Sequence, residues 1–398
     1  MKKSVAFVVI FLAVAILVCL GLNGVSATDI GWCANLSSSD TYVLNTSVNS
    51  TGTCFNITAA NVTLDCNGFT INFTSTAIVS NSSNTTIKNC NLYQVTASTG
   101  TAGIYFSAKN SNGTIFNNTI SMKSQSGNCI YLLNSSGNNL TGNNLIGTGL
   151  YAVGIKIYYT NGTNNLISTN NILITNHDAY GIYLYSGASW NNITENNITT
   201  TSYATPGVFI SSGNQNNINN NNITTTGSSD SYGIYLSSST GNNLSSNKVI
   251  TNGSTNFGFY SLTSTGNILL NNQFNTSSGA ILITGSVSSD FNNTIGVDNL
   301  AEGLPIWYNY SVSNIMMYQN IDLSSSVGQL VCAWCSNVTY QNVTMGKDGI
   351  SLFNASNSLI NNSKSGSIII TSLSSSPQNN VINLLNITSS GIGAYLKG

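Results

Sequence analysis

The sequence predicts an all-β fold, a right-handed parallel β-helix of roughly 13–14 coils with roughly 25 residues in each. Three observations lead to this prediction: a repeat of nearly constant length, short apolar strands between polar turns within each repeat, and a composition with very little charge. Only 5% of the residues are charged, whereas 41% are hydrophobic. Such a chain can bury a long core, and it lacks the high charge that is typical of disordered proteins.

One apolar position recurs through the middle of the chain at a nearly constant interval. Units such as GIYLYSGASWNNITENNI from Gly181 and GIYLSSSTGNNLSSNKVI from Gly233 repeat at intervals of 26, 25, 27, 26, 26 and 25 residues. Self-similarity at such a period is the signature of a solenoid. The recurring positions are Ile104, Ile130, Ile155, Ile182, Val208, Ile234 and Phe259.

Each unit contains three short pieces with alternating apolar residues. In the unit from Gly181, Ile182 and Leu184 share one face of the first strand, Ile193 anchors a second strand and Ile198 a third. Strands this short cannot bury an apolar face alone, but stacked coils bury it together. Parallel strands of successive coils would then pair at about 4.8 Å.

Asparagine recurs just before the apolar residue of the second strand. At a sharp corner, asparagine tolerates left-handed backbone angles, and stacked amides can bond to one another along the axis. We therefore expect asparagines at the corners and in ladders. The recurring segments are Asn138-Asn139-Leu140, Asn164-Asn165-Leu166, Asn191-Asn192-Ile193, Asn216-Asn217-Ile218 and Asn242-Asn243-Leu244.

The repeat divides the chain into four segments. Residues 1–27 read as a signal peptide, with Lys2 and Lys3 before an apolar stretch and a small-residue cleavage site. We predict an N-terminal cap and first coil over 28–76, regular coils over 77–295, and continued, less regular coils over 296–398.

The leader and the charge balance restrict location and partners. We expect a secreted or cell-surface protein with no membrane span after signal cleavage. Net charge is −1, with ten lysines and no arginine, so a nucleic-acid partner is excluded. Most of the Asn-x-Ser/Thr sequons follow from the strand composition, and some can carry glycan on the outer surface.

Seven cysteines remain after the predicted cleavage site. In an oxidising compartment they favour disulfides, and the odd number leaves one thiol free or paired with another chain. The sequence leaves their pairing open. The disulfide candidates are Cys33, Cys54, Cys66, Cys90, Cys332 and Cys335, and the seventh cysteine is Cys129.

Several segments resemble known β-helix repeat proteins. CFNITAANVTLDCNGFTI, from Cys54 to Ile71, resembles the opening coils of archaeal and bacterial right-handed β-helix repeat proteins. The GIYL…NN(I/L)…NNI unit resembles repeats of NosD-like and carbohydrate-binding or sugar-hydrolase-like families, and GQLVCAWCSNVTYQNVT resembles coils of S-layer-associated archaeal proteins. The resemblance implies the fold. Its members include polysaccharide lyases and hydrolases, a periplasmic protein tied to copper delivery, and many surface proteins.

The sequence offers few residues for polysaccharide cleavage. Pectate lyases of similar fold use calcium-binding aspartates and an arginine base, and polygalacturonases use aspartate clusters with His and Arg-x-Lys motifs. None of these patterns is present. Asp178, Asp230 and His177 are weak catalytic candidates, because the two aspartates occupy similar corners two coils apart, about 9–10 Å. We favour solvated corner residues.

Metal delivery has equally little support, and we expect neither a cofactor nor a metal site. Copper sites need clustered His, Met or Cys, yet His177 is isolated. Met316 and Met317 would face opposite sides of a strand, with Met345 further along. The Cys332-x-x-Cys335 spacing fits a soft metal or a redox pair, but it fits a structural disulfide better in an oxidising compartment.

Aromatic residues form the third candidate site. If Ile182 and Leu184 point inward, the residue between them points outward, and its equivalents form a row with one lysine. Aromatic rows suit sugar binding, although ring stacking can equally serve stability alone. The row consists of Tyr105, Tyr131, Lys156, Tyr183, Phe209, Tyr235 and Tyr260, with Tyr180, Tyr232 and Phe257 at the preceding corner.

The resulting prediction is a non-enzymatic surface protein that binds a polysaccharide or surface glycan, or forms part of a cell envelope or S-layer. A polysaccharide lyase or glycoside hydrolase, a NosD-like metal-delivery protein and a purely structural rod remain as alternatives.

Overall fold

The chain winds into a right-handed parallel β-helix of about 14 turns, seen in a computed structural model that describes residues 27–107, 110–372, 379–383, 385–388 and 393–397. Residues 1–26, which hold nearly all of the predicted signal peptide, lie outside the described residues. The predicted fold class is therefore confirmed. Each regular coil passes in turn through three parallel sheets, which we number in that order.

The strands of each sheet stack coil upon coil. Sheet 1 contains Ala34–Leu36, Phe55–Ile57, Ile78–Ser80, Ala102–Phe106, Asn128–Leu133, Val153–Tyr158, Tyr180–Tyr185, Val208–Ser211, Ile234–Ser237, Phe259–Leu262 and Ile281–Thr284. Sheet 2 contains Thr28–Ile30, Thr41–Leu44, Thr63–Asp65, Thr86–Lys88, Thr114–Phe116, Asn139–Thr141, Leu166–Ser168, Asn192–Thr194, Asn217–Asn219, Asn243–Ser245, Ile268–Leu270 and Thr294–Ile295. Sheet 3 begins with Val48–Ser50, Thr70–Phe73, Asn91–Gln94, Thr119–Met122, Asn144–Gly147, Asn171–Ile174, Asn197–Thr200, Asn222–Thr225, Lys248–Thr251, Gln273–Thr276 and Leu300–Ala301.

The predicted register is present in the structure. Ile182 pairs with Ile155 on one side and with Val208 on the other, in parallel. Ile182, Leu184, Ile193 and Ile198 are all fully buried. The apolar side of every sheet thus faces one continuous core along the axis.

Two buried asparagine ladders run along the corners before and after sheet 2. In each ladder, a side-chain amide donates to the side-chain oxygen of the asparagine one coil further on. Asn196, for example, donates to Asn221 Oδ1 at 2.9 Å and to the carbonyl of Ile167 at 2.9 Å. Its own Oδ1 accepts the backbone and side-chain amides of Asn170. The ladders are Asn138–Asn165–Asn191–Asn216–Asn242–Asn267–Asn293 and Asn118–Asn143–Asn170–Asn196–Asn221–Asn247–Asn272–Asn299.

A left-handed corner residue precedes each ladder asparagine except the last of each ladder, Asn293 and Asn299, which differs from the simplest expectation. Trp190 with φ 59° precedes Asn191, and Glu195 with φ 56° precedes Asn196. One residue therefore makes the corner turn, and the asparagine that follows it makes the hydrogen bonds of the ladder. The turn re-aims the chain, and the following amide satisfies the buried backbone groups that the turn leaves unpaired.

Strand direction reverses after residue 301. Glu302 and Gly303 both have positive φ and form a two-residue hairpin, so Leu304–Tyr310 runs antiparallel to Leu300–Ala301. Sheet 3 then continues with Gln329–Ala333, Ile350–Phe353, Ile368–Thr371 and Ala394–Lys397, parallel to Leu304–Tyr310. Sheet 4 contains Val381–Asn383, Leu359–Asn361, Ser336–Thr344, Lys364–Ser365 and Asn386–Ile387, with Ser313–Asp322 also paired to Ser336–Thr344. A short 3₁₀ helix, Ser288–Phe291, lies before this reversal.

The reversed coils have a second core and a polar seam against the regular coils. Some of their buried residues, including Tyr340 and Ile350, form a separate cluster, whereas Val331, Phe353 and Ile369 join the core of the regular coils. At the seam, the Gln329 side chain accepts from the backbone amide of Ile281 and donates to its carbonyl, both at 2.9 Å. This amide pairs with the last strand of sheet 1 much as another strand would.

Disulfides bind neighbouring coils at the start of the chain. Residues 28–76, predicted as a cap with the first coil, already supply the first strands of sheets 1, 2 and 3. The pairs are Cys33–Cys54, Cys66–Cys90 and Cys332–Cys335, and Cys129 is a buried free thiol. All six disulfide candidates are thus paired, and burial raises the pKa of the Cys129 thiol to about 12.

Candidate functional site

The predicted aromatic row lies on the outer face of sheet 1. Register pairs join each member to the next in the order of the sequence. We call the row, Tyr105, Tyr131, Lys156, Tyr183, Phe209, Tyr235 and Tyr260, the aromatic ladder. Its members are half-buried, except that Tyr260 is only 5% exposed. Tyr260 is covered because Tyr232 packs on its ring and its hydroxyl pairs with Thr284.

The rings of the ladder stack on one another. Tyr183 and Phe209 have centroids 4.9 Å apart with planes 4° apart, and Phe209 and Tyr235 have values of 4.5 Å and 8°. Tyr235 and Tyr260 continue the stack at 4.8 Å and 14°. Stacked rings cover each other's faces and turn their edges to solvent. The middle of the ladder therefore offers ring edges and hydroxyls rather than open ring faces.

Lys156 interrupts this stack between Tyr131 and Tyr183. Its ammonium lies 5.3 Å from the Tyr131 centroid, 5.6 Å from Tyr158 and 5.9 Å from Tyr183. Partial burial lowers the pKa of the Lys156 ammonium. Cation–π contacts with these rings therefore hold Lys156 in the ladder.

Tyr158 and Tyr185 form a second stack, parallel to the ladder and two residues further along the strands, with ring centroids 5.1 Å apart.

A pocket opens beside the ladder, at the corner where each coil enters sheet 1, because one coil has no aromatic ring at this corner. Tyr180 and Tyr232 occupy equivalent corners two coils apart, and Pro206 takes the same position in the coil between them. The missing ring leaves a pocket of about 370 Å³ with the edges of Phe209 and Tyr235 in its wall. We call this the corner pocket. Its remaining lining comes from Ala204, Asp230, Tyr260 and Leu262.

The corner tyrosines are tilted out of the ladder planes. The Tyr180 ring meets Phe209 at 37°, and the Tyr232 ring meets Tyr235 at 62°. Because these two rings are not stacked in line with the ladder, they border the corner pocket as an apolar wall at either end. The geometry suits a single ring-sized group with an apolar face.

Two carboxylates flank the same corner. Asp178, Ala204 and Asp230 occupy equivalent left-handed positions in three successive coils, with φ of 54°, 52° and 53°. The predicted two-coil separation of the aspartates is thus present. Asp178 Oδ2 lies 2.9 Å from His177 Nδ1, whereas Asp230 Oδ1 accepts the Tyr232 hydroxyl at 2.8 Å. Only Asp230 lines the pocket, so the two carboxylates do not converge on one cavity.

The tyrosine hydroxyls around the pocket stay protonated over a wide pH range. Burial raises the pKa of Tyr235 to about 12 and also raises the pKa of Tyr180. Burial, followed by the charge of Asp230, raises the pKa of Tyr232 further. These hydroxyls therefore remain neutral hydrogen-bond donors and acceptors in any ordinary buffer.

The metal-binding candidates stay dispersed. Within the described ranges, no group of three or more His, Cys, Asp and Glu side chains is placed to hold a metal ion. Met316 is half exposed, Met345 is buried, and Met317 Sδ lies 3.9 Å from the sulfur of the disulfide-bonded Cys332. The sulfur atoms thus do not form an open site.

Two families match overlapping parts of the chain. Residues 32–199 match the family described as right handed beta helix region, and residues 124–302 match the family described as periplasmic copper-binding protein (NosD). No curated protein sequence matches the chain. Together with the fold, these matches identify a β-helix repeat protein. The three disulfides are typical of a compartment outside the cytoplasm.

Solved structures with similar folds have little sequence in common with this chain. The Dettilon tailspike protein is 15% identical with a TM-score of 0.51, over 70% of this chain and 60% of its own length. A tailspike of an E. coli bacteriophage, solved with a pentasaccharide, is 9% identical with a TM-score of 0.49, over 96% and 75%. A mannuronan C-5 epimerase module from Azotobacter vinelandii is 11% identical with a TM-score of 0.39, over 68% and 89%. This chain thus spans less than two thirds of the Dettilon tailspike, and the likeness concerns the fold.

Sequence reasoning missed the corner pocket and the second stack. The pocket had a visible signal, because Tyr-Gly at 180–181 and 232–233 becomes Pro-Gly at 206–207. Tyr158 and Tyr185 lie two residues after ladder members, which the alternation of a strand places on the same face.

In the part of the chain that the structure describes, no helix is long and apolar enough to span a bilayer.

Proposed function

We propose that this right-handed β-helix repeat protein is a non-enzymatic, extracellular or cell-surface protein that binds glycans at the corner pocket and along the adjoining aromatic ladder. The observation that carries the proposal is the pocket itself. It is a ring-sized gap between Tyr180 and Tyr232 with Asp230 as its charged hydrogen-bonding group.

The chemistry of the pocket matches that of a sugar ring. A pyranose has apolar C–H faces and a rim of hydroxyls, so it needs aromatic surface together with well-placed polar atoms. Small-ligand sites are mostly apolar clefts with a few converging polar groups. Tyr180 and Tyr232 supply the apolar walls, and Asp230 and the Tyr235 hydroxyl supply the polar atoms.

The ladder extends this site along the axis. Its tyrosine edges lie in line with the pocket, coil after coil, so further sugars of a chain would pass over tyrosine hydroxyls and over Ser211 and Ser237, two residues further along the strands. Because the ladder's ring faces are covered by neighbouring rings, its main role is stability. The pocket is therefore the primary site, and the ladder is an accessory surface.

Residues for the alternative functions do not come together. The single histidine pairs with Asp178, and the described part of the chain has no metal-ligand cluster, so the residues present do not fit a copper site. A hydrolase needs two carboxyls at one substrate, but Asp178 does not line the pocket that Asp230 lines. We therefore propose binding without catalysis.

Affinity electrophoresis on gels that contain neutral and acidic polysaccharides tests the proposal. We expect at least one polysaccharide to retard the wild-type protein, and Tyr232→Ala to weaken that binding about 10-fold, as for an aromatic anchor. Pro206→Tyr should abolish binding, because the new ring would fill the pocket between Tyr180 and Tyr232. The protein should keep its unfolding temperature.

Tyr93→Ala is the matched control, since Tyr93 is 41% exposed on sheet 3 and away from the pocket. It should bind like the wild type. The proposal would be wrong if no polysaccharide retarded the wild-type protein, or if Pro206→Tyr bound as tightly as the wild type.

A further inference from the structure

We infer that the corner pocket selects an uncharged sugar with adjacent free hydroxyls, and that Asp230 is the residue that determines this selectivity. The inference rests on the proposed glycan-binding function and names its ligand class. It depends on the charge of the pocket, on the free oxygen of Asp230 and on the position of Lys156.

The first step concerns the orientation of Asp230. Its side chain is exposed at a left-handed corner, and the Tyr232 hydroxyl donates to Oδ1 at 2.8 Å. This bond fixes the carboxylate at the edge of the pocket. Among the described residues, no hydrogen-bond donor is paired with Oδ2. The second oxygen therefore remains available to a ligand.

The second step concerns the bond that this oxygen can make. A carboxylate accepts hydrogen bonds and cannot donate them, so its natural partner is a hydroxyl. Hydrogen bonds to an ionised acceptor are shorter and stronger than neutral ones. Two adjacent sugar hydroxyls can donate to a carboxylate together, which fixes the orientation of the ring between Tyr180 and Tyr232.

The third step concerns the absence of a compensating cation in the pocket lining. Among the described residues that line the pocket, Asp230 is the only charged one, and Lys156 lies at a ladder position two coils before Phe209. The Lys156 ammonium is held against Tyr131, Tyr158 and Tyr183. A uronate or sulfate group in the pocket would therefore meet a like charge with no partner, which disfavours acidic sugars.

Titration calorimetry on the full protein tests the inference with a neutral galactomannan, a neutral xylan and a neutral β-glucan, against polygalacturonate and alginate. We expect wild-type binding to at least one neutral polymer and at least 10-fold weaker binding to both acidic ones. Asp230→Asn, which keeps shape and removes charge, should weaken neutral binding about 10-fold or more.

Glu195→Gln is the matched control, because it removes one negative charge from a left-handed corner between sheets 2 and 3. It should leave neutral binding within about 2-fold. Preferred binding of an acidic polymer, or unchanged neutral binding in Asp230→Asn, would overturn the inference and leave glycan binding intact. Failure of every polymer to bind would instead sink the proposed function.

Discussion

The regular coils and the reversed coils of this protein use different means to hold a solenoid together. Two buried asparagine ladders accompany the coils between Asn118 and Asn299, and there the register pairs of sheets 2 and 3 lie 25–27 residues apart. In the first coils, before the ladders begin, the register pairs Ala34–Phe55, Thr41–Thr63 and Phe55–Ile78 lie 21, 22 and 23 residues apart. From residue 304 onward, register pairs lie 23, 20, 18 and 26 residues apart. The strict repeat thus coincides with the amide ladders.

Serine occupies several corner positions in the reversed coils, although Asn380 still accepts the backbone amide of Ser358 at one corner. Ser363 Oγ accepts the backbone amide of Val343 and donates to the carbonyl of Asn361, and Ser358 is buried at a neighbouring corner. A hydroxyl has one donor hydrogen whereas a side-chain amide has two, so Ser363 satisfies fewer groups than a ladder asparagine. The difference teaches that coil length varies little where the asparagine ladders run, and varies more in the coils without them.

The largest expected effect concerns the disulfides of the two regions. Replacing Cys66 and Cys90 by serine should lower the free energy of unfolding by about 3.5 kcal/mol, because that bridge closes a long loop. Replacing Cys332 and Cys335, separated by 3 residues, should cost only about 2 kcal/mol. Urea unfolding of the two double variants measures both. Equal losses would argue against a loop-entropy origin for the difference.

The next effect concerns the amide ladder itself. Asn196→Ala removes donors to Ile167 and Asn221 and an acceptor for Asn170, all buried, so we expect a loss of about 3 kcal/mol. Ser363→Ala in the reversed coils should cost about 1 kcal/mol. Thermal and urea unfolding followed by circular dichroism give the comparison.

Asn197→Ala is the control for this prediction, because Asn197 is the exposed neighbour and bonds only to other outer asparagines. Its effect should stay below about 0.5 kcal/mol. A loss for Asn197→Ala as large as that for Asn196→Ala would contradict the special role of the buried ladder.

The smallest effect concerns the seam between the two regions and depends on pH. Asp348 is 2% exposed, and no hydrogen-bond donor is paired with its Oδ2 among the described residues. Burial, with a further contribution from Glu302, raises the pKa of this carboxyl to about 7, against opposing effects of Lys347 and Ala280. Its stabilising contribution is therefore complete below pH 3.8 and is lost as pH rises to about 7.

Asp348→Asn tests this pH dependence. Above pH 7, the variant should be more stable than the wild type, because the wild type must then bury a charge. Near pH 4 the advantage should disappear. Unfolding temperatures measured from pH 4 to pH 8 check the trend, and a constant difference across that range would show that Asp348 does not titrate in the folded protein.

The sequence was sufficient for the register because the repeat encodes it directly. Ile155, Ile182 and Val208 recur at a fixed interval, and the structure pairs them as predicted. The reversal was not predictable, since Glu302-Gly303 lacks the Asn-Gly or Asp-Gly pattern of common two-residue hairpins. The shift of the left-handed residue to the position before most ladder asparagines needed backbone geometry as well.

The candidate site was predictable only in part. The outward row of Tyr183, Phe209 and Tyr235 follows from strand alternation, whereas the covering of their faces depends on the side-chain conformations of neighbouring coils. The corner pocket forms because Pro206 has no aromatic ring, whereas Tyr180 and Tyr232 at the equivalent positions each have one. A missing ring predicts a pocket only when the positions of the neighbouring side chains in space are known.

The most direct test of the proposed binding site is a crystal structure of the protein with an oligosaccharide from a neutral polymer that it binds. The account predicts one sugar ring between Tyr180 and Tyr232, with its hydroxyls at hydrogen-bonding distance from Asp230. A sugar bound on another face at saturating concentration, with the corner pocket empty, would contradict it.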